Sequence, residues 1–153
     1  MKAFNTKIIA VSNQKGGVGK TTSSINIASF LAITETPTLL IDMDPQANAS
    51  TGLGVDVSPK INSVYDILIN NMKVENCINK TEIEYLDILP SCSKLAGAEI
   101  ELVSMLTRET ILKEAIQECC GKYKYIIIDS PPSLGLLTVN IFTAVDSLII
   151  PIQ

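Results

Sequence analysis

An α/β architecture with a doubly wound, mainly parallel sheet flanked by helices is the fold this sequence predicts, and three observations predict it. Short runs of Ile, Leu and Val alternate with segments of helical spacing. The runs are apolar at successive positions, as strands buried on both faces require. Their far ends carry aspartates or a glycine-rich turn, at the place where open parallel sheets present ligands.

The first strand is the run Ile8, Ile9, Ala10 and Val11, and the helix after it carries Ile25, Ala28 and Ala32 on one face. Pro37 leads into a second strand over 38–42, which ends in Asp42. Residues 43–54, rich in Asp, Pro, Gln, Asn, Ser and Gly, read as a loop at the carboxyl end of that strand. A short helix over 64–69 precedes a third strand over 86–89, stopped by Pro90. Leu95, Ala98, Leu102 and Met105 give a helical face to 94–106, broken at Thr107 or Arg108. The next helix, 109–120, stops at Gly121. A fourth strand over 125–129 ends in Asp129, a Pro131-Pro132-Ser133 turn leads to a helix over 134–144, and 147–150 is a fifth strand. Strands and helices in this order form βαβ units with right-handed crossovers.

The first turn carries the chemistry. Residues 14–22 read Gln-Lys-Gly-Gly-Val-Gly-Lys-Thr-Thr, between a strand and a helix. Glycines let the backbone approach phosphate oxygens and adopt positive φ, and the N–H groups of the turn and helix start neutralise the anion. Gly16, Gly17, Val18, Gly19, Lys20, Thr21 and Thr22 therefore form a phosphate cradle, with Lys20 on the terminal phosphates and the Thr21 hydroxyl completing a magnesium shell. The strict G-x-x-x-x-G-K-[ST] pattern fails, because Gln14 stands where its first glycine belongs. The second cation, Lys15, is the informative departure: it is either solvated or offered to a phosphate held by a second subunit, as arginine fingers are.

Asp42, Asp44 and Asp129 lie at or just beyond strand ends that converge on this crevice. Asp129, after three isoleucines, is too costly to bury alone, and a hydrated magnesium ion supplies a partner. Asp44 is placed to orient an attacking water, with a plain turn aspartate before Pro45 as the alternative.

At 153 residues the chain fits one domain, 1–153, able to bury roughly 70% of its unfolded surface. Apolar residues make up 46% of it, yet no run approaches the ~20 residues that span a bilayer, and the first residues do not read as a signal peptide. A cytoplasmic protein is expected. Cys77, Cys92, Cys119 and Cys120 lack metal-ligand spacing and have no histidine to join them, so they read as reduced thiols. The net charge of −4 argues against this stretch alone gripping nucleic acid strongly.

Along its whole length the chain resembles the ParA family of partition ATPases, its Soj-like branch in particular, within the P-loop NTPase type of fold. Residues 14–22 are similar to the family's deviant Walker A, residues 42–48 (Asp-Met-Asp-Pro-Gln-Ala-Asn) to its switch I, and residues 125–138 to its Walker B and switch II. The stretch Leu-Ala-Gly-Ala-Glu-Ile-Glu-Leu over 95–102 and the strand over 149–153 resemble further family segments. The resemblance implies ATP and Mg2+ as cofactors, Lys15 acting across an ATP-sandwiching homodimer, and Lys20 and Thr21 on phosphates and magnesium. It also implies Asp44 activating the hydrolytic water, Asp129 holding magnesium through water, and Asp42 as a weaker metal candidate. By the same resemblance the ATP dimer associates with the nucleoid through non-specific DNA binding, no membrane is involved, and a ParB-type partner releases the protein by stimulating hydrolysis.

Ala47 stands where the family usually has glycine. Family members continue for roughly another hundred residues, so these residues read as an N-terminal piece, with the later strands, the adenine-contacting loop and the DNA-binding residues expected beyond it. Two alternatives share fewer features: a MinD-like membrane-associated positioning ATPase and a non-catalytic nucleotide-binding fragment.

Overall fold

A computed structural model describes residues 3–58 and 60–153. Among them six strands form one sheet: β1 (Lys7–Val11), β2 (Thr38–Asp42), β3 (Asn79–Lys80), β4 (Leu86–Leu89), β5 (Tyr125–Asp129) and β6 (Ser147–Ile149). Their spatial order is β3-β4-β2-β5-β1-β6. All neighbours run parallel except β3, which pairs antiparallel with β4. The doubly wound parallel sheet is thus present, with one strand more than the sequence predicts. β3 is two residues long and polar, so it carries no apolar run by which to read it.

The helices are α1 (Lys20–Ile33), α2 (Asn48–Gly52), α3 (Val64–Asn70), α4 (Leu95–Leu102), α5 (Ile111–Gln117) and α6 (Leu136–Ala144). Alternation within the strands sorts them into two layers. Leu40, Ile88 and Ile127 pack with Ala28 and Ala32 of α1 and Ala49 of α2. Leu39, Ile41, Ile126 and Ile128 face the other way, against α3, α4, α5 and α6. Both faces of β2 and β5 are therefore buried, which is why their sequences are continuously apolar.

Parallel register brings the site together. Val11 lies opposite Asp129, and Asp129 opposite Asp42, so the ends of β1, β5 and β2 stand side by side. The chain leaves β1 on one side for β2 and returns from β5 across to β6, which places a crevice at these carboxyl ends. β6, at the sheet edge, is exposed at all three residues.

Where helices differ from expectation, the difference is local. α2 lies inside the stretch read as loop, a single turn whose polar composition hides it. Thr107, at φ +53°, ends the helical path after α4, as the sequence suggested, but α4 itself stops at Leu102. α5 and α6 each begin two residues later than spacing predicts.

Candidate functional site

The glycine loop joins β1 to α1 and is held open by backbone conformation. Gly17 and Gly19 have φ of +72° and +83°, which side-chain-bearing residues rarely adopt. A Cβ built on Gly16, Gly17 or Gly19 would meet nothing within 4 Å, so the inner face of the loop is free space. That space is a cavity of about 360 Å³, lined by Gly16, Gly17, Gly19, Lys20, Thr21 and Thr22 from the loop and by Asp44 from the far side. Val18 is buried beneath the loop and anchors it, and Lys15 is exposed on its rim.

Helix α1 supplies the polar groups because its spacing turns them inward. Lys20, Ser24, Ala28 and Ala32 form its buried i, i+4 stripe. The Lys20 ammonium donates to the Lys15 carbonyl at 3.0 Å and lies inside the loop. The Thr21 hydroxyl donates to Asp129 Oδ2 at 2.8 Å, and the Ser24 hydroxyl to Oδ1 at 2.9 Å. Burial pushes the Asp129 carboxyl above the usual carboxylate range, against the pull of these two hydroxyls, and the charge of Asp44 pushes it the same way. A cation would reverse that balance. A hydroxyl and a carboxylate at the foot of an open anion cradle are the oxygen donors a hard divalent ion takes, so the residues fit a magnesium–nucleotide ligand.

Asp44 is nearly buried, its Oδ1 accepts the Gln46 N–H at 2.9 Å, and the Asp44 carbonyl accepts the Ala47 N–H. The carboxylate reaches the cavity from a tight turn that ends at Ala47, held at φ +53°.

Asp42 is placed differently. Its Oδ2 accepts both the N–H and the hydroxyl of Ser50, at 2.8 and 2.7 Å, and its Oδ1 accepts the Asp44 N–H at 3.1 Å. Ser50 in turn accepts the Ser91 N–H. These bonds tie the Asp44 loop and the end of β4 to β2 through Asp42, which is not among the residues that line the cavity. Burial raises its carboxyl to about 6, against the opposing Ser50 bonds.

Gln46 and Asn48, from the 42–48 motif, line the same cavity, whereas Ser24 and Ser50 belong to this neighbourhood and lie outside every motif. Ser24 was reachable by helical spacing from Lys20; Ser50 was not, because α2 is too short to show a period. A larger cavity, about 530 Å³, opens at the other end of the sheet around Asp87 and Tyr123. It has no glycine loop, so size does not locate the chemistry.

Comparison with known proteins agrees with this geometry. The chain is 52% identical over 147 residues to the sporulation initiation inhibitor protein Soj of Bacillus subtilis and 49% identical over 147 residues to the chromosome partitioning protein ParA of Myxococcus xanthus. These alignments cover 96% of this chain, which spans 58% and 52% of the length of the two relatives. Among solved structures, a Mycobacterium smegmatis protein described as cobyrinic acid a,c-diamide synthase, with ADP and magnesium bound, superposes with a TM-score of 0.93 at 38% identity. That match covers 97% of this chain and 60% of the other. The profile of the AAA domain family matches residues 6–153. With the deviant glycine loop, the Asp44 turn and the Asp129 strand end in place, the chain belongs to the AAA domain family and is similar to its ParA and Soj members.

Proposed function

We propose that this protein is an ATP-binding and ATP-hydrolysing switch of chromosome or plasmid partition, acting as a homodimer with ATP sandwiched between its subunits. The observation that carries the reading is the Thr21–Asp129 hydrogen bond at the foot of the open glycine loop, with the Lys20 ammonium beside it. Magnesium, when bound, neutralises phosphate oxygens and carries ordered water. The protein does the rest. Loop N–H groups and Lys20 would hold the phosphates, Thr21 would offer its hydroxyl to the ion, and Asp129 fixes that hydroxyl and would supply a carboxylate beside it. Asp44, across the cavity, accepts the proton of the attacking water or orients it. Lys15, on the rim, reaches the phosphates of the partner subunit.

By likeness to the ParA and Soj relatives, the ATP-bound dimer binds DNA non-specifically and a ParB-type partner triggers its release. Among the described residues no helix is long and apolar enough to cross a membrane.

Substitution separates the roles. Lys20→Ala abolishes ATP binding in an equilibrium titration. Asp44→Ala keeps ATP binding and dimerisation but lowers phosphate release by about a hundredfold or more. Lys15→Gln binds ATP as a monomer and fails to dimerise. An Asp44→Ala protein that hydrolyses ATP at the parent rate removes Asp44 from the mechanism, and a Lys15→Gln protein that dimerises normally removes the trans role.

A further inference from the structure

Helix α6 begins without a cap of its own. Its N-cap is Gly135, which has no side chain, and its first turn carries no acidic residue. The charge facing this end comes from α4, whose Glu99 Oε1 accepts the Leu137 N–H at 3.4 Å. A Cβ built on Gly135 would overlap that carboxylate. Yet Gly135 has φ −93°, a value open to any residue. Glycine is needed here for space and not for conformation. A carboxylate over the first N–H groups of a helix satisfies orphan donors and opposes the positive end of the dipole.

The location gives this cap its consequence. Gly135 closes the segment that leads from Asp129, and Ser130 at its start is pinned by its hydroxyl to the Val11 carbonyl at 2.8 Å. Glu99 also lines an open groove of about 350 Å³ together with Asp44, Gln46, Pro132 and Leu137. Asp44, Gln46 and Pro132 are shared with the cavity of the glycine loop. One carboxylate on α4 therefore caps the segment after Asp129 and borders the groove that this segment shares with the Asp44 turn.

We infer that Glu99 is a positioning residue for hydrolysis: by capping α6 from α4 it holds residues 130–135 in place beside Asp44. It touches no reacting atom. The kinetic consequence rests on the proposed ATPase reading; the cap itself does not.

The test uses Glu99→Ala, Gly135→Ala, their combination, and Glu99→Gln, followed by amide hydrogen exchange and by ATP turnover. Glu99→Ala speeds exchange across 136–139 by about fivefold, the size of a lost cap. Gly135→Ala does the same, because its methyl displaces Glu99; alanine is also a poorer N-cap than glycine, so the combined variant, and not this one alone, assigns the loss to Glu99. The combined variant is no worse than either alone, and Glu99→Gln, which keeps the acceptor oxygen, recovers part of the loss. Turnover at saturating ATP falls by about the same factor with KM within about twofold, the pattern of misplaced machinery and not of weakened binding. Parent-like exchange in Glu99→Ala, a silent Gly135→Ala, or losses that multiply in the combination overturn the inference. A rise in KM at constant kcat overturns its kinetic part. Should the parent hydrolyse no ATP, the ATPase reading fails by itself, and the exchange data still decide whether Glu99 holds the segment. If Glu99→Ala does not fold, Glu99→Gln and Gly135→Ala carry the same comparison.

Discussion

Ala47 shows how a single residue sets the stiffness of the Asp44 turn. It sits at φ +53°, a left-handed conformation that its methyl makes unfavourable by roughly 1 kcal/mol. Ala47→Gly relieves that strain, so we expect a rise of about 1 kcal/mol in stability, seen as roughly 2–4 °C in Tm. An unchanged or lower Tm would mean that the glycine's extra freedom in the unfolded chain outweighs the strain. Asp42 is the second telling residue. Its folded-state value of about 6 lies above the ordinary 3.8, so the folded chain retains a proton that the unfolded chain has already released. This carboxyl therefore opposes folding increasingly as pH rises from 3.8 to about 6, by up to about 3 kcal/mol, and no further above that. Asp129 is shifted in the same direction. In ligand-free protein, urea midpoints should fall between about pH 4 and 6, and fall less in Asp42→Asn; equal slopes in the two proteins would contradict the buried charge. The phosphate-binding residues were legible because their chemistry fixes their spacing. Asp42 was legible only as an acid at a strand end; its bonds to Ser50 depend on α2, which no periodicity announced.

At the scale of elements, the strands were readable because burial on both faces leaves uninterrupted apolar runs. Helix starts were less so, for a reason the structure supplies. Neither α5 nor α6 is capped by its own N-cap side chain. The Leu112 N–H of α5 donates to Asn140 of α6, and the Leu137 N–H of α6 to Glu99 of α4. Capping rules look for a side chain at the helix's own boundary, so caps delivered from another helix leave no local signature. Asn140 is fully buried, and its amide also donates to the Leu136 carbonyl at 3.0 Å and to the Arg108 carbonyl at 2.6 Å. Asn140→Ala leaves these groups without partners, so a loss of about 1–3 kcal/mol is expected in urea unfolding. A loss below about 0.5 kcal/mol would show that water replaces the carboxamide without cost.

Among the described residues, the sheet has one blunted edge and one exposed edge. On one side the short polar β3 pairs with β4, which blunts further pairing. On the other, Leu148, Ile149, Ile150 and Ile152 are all exposed on and beyond β6. Such an edge invites association. The 153-residue chain should therefore show concentration-dependent association in sedimentation, and Ile150→Lys should reduce it; identical behaviour of parent and variant would remove this edge as the cause. The chain spans little more than half the length of its partition relatives, and the nucleotide cradle is built from residues within that half.

Titration of ATP into the parent and Thr21→Ala, with and without magnesium, probes the nucleotide cradle itself. We predict that magnesium tightens ATP binding to the parent by about tenfold or more and that Thr21→Ala loses most of this gain. Equal ATP affinity of the parent with and without magnesium, or a Thr21→Ala protein that keeps the full gain, would contradict it.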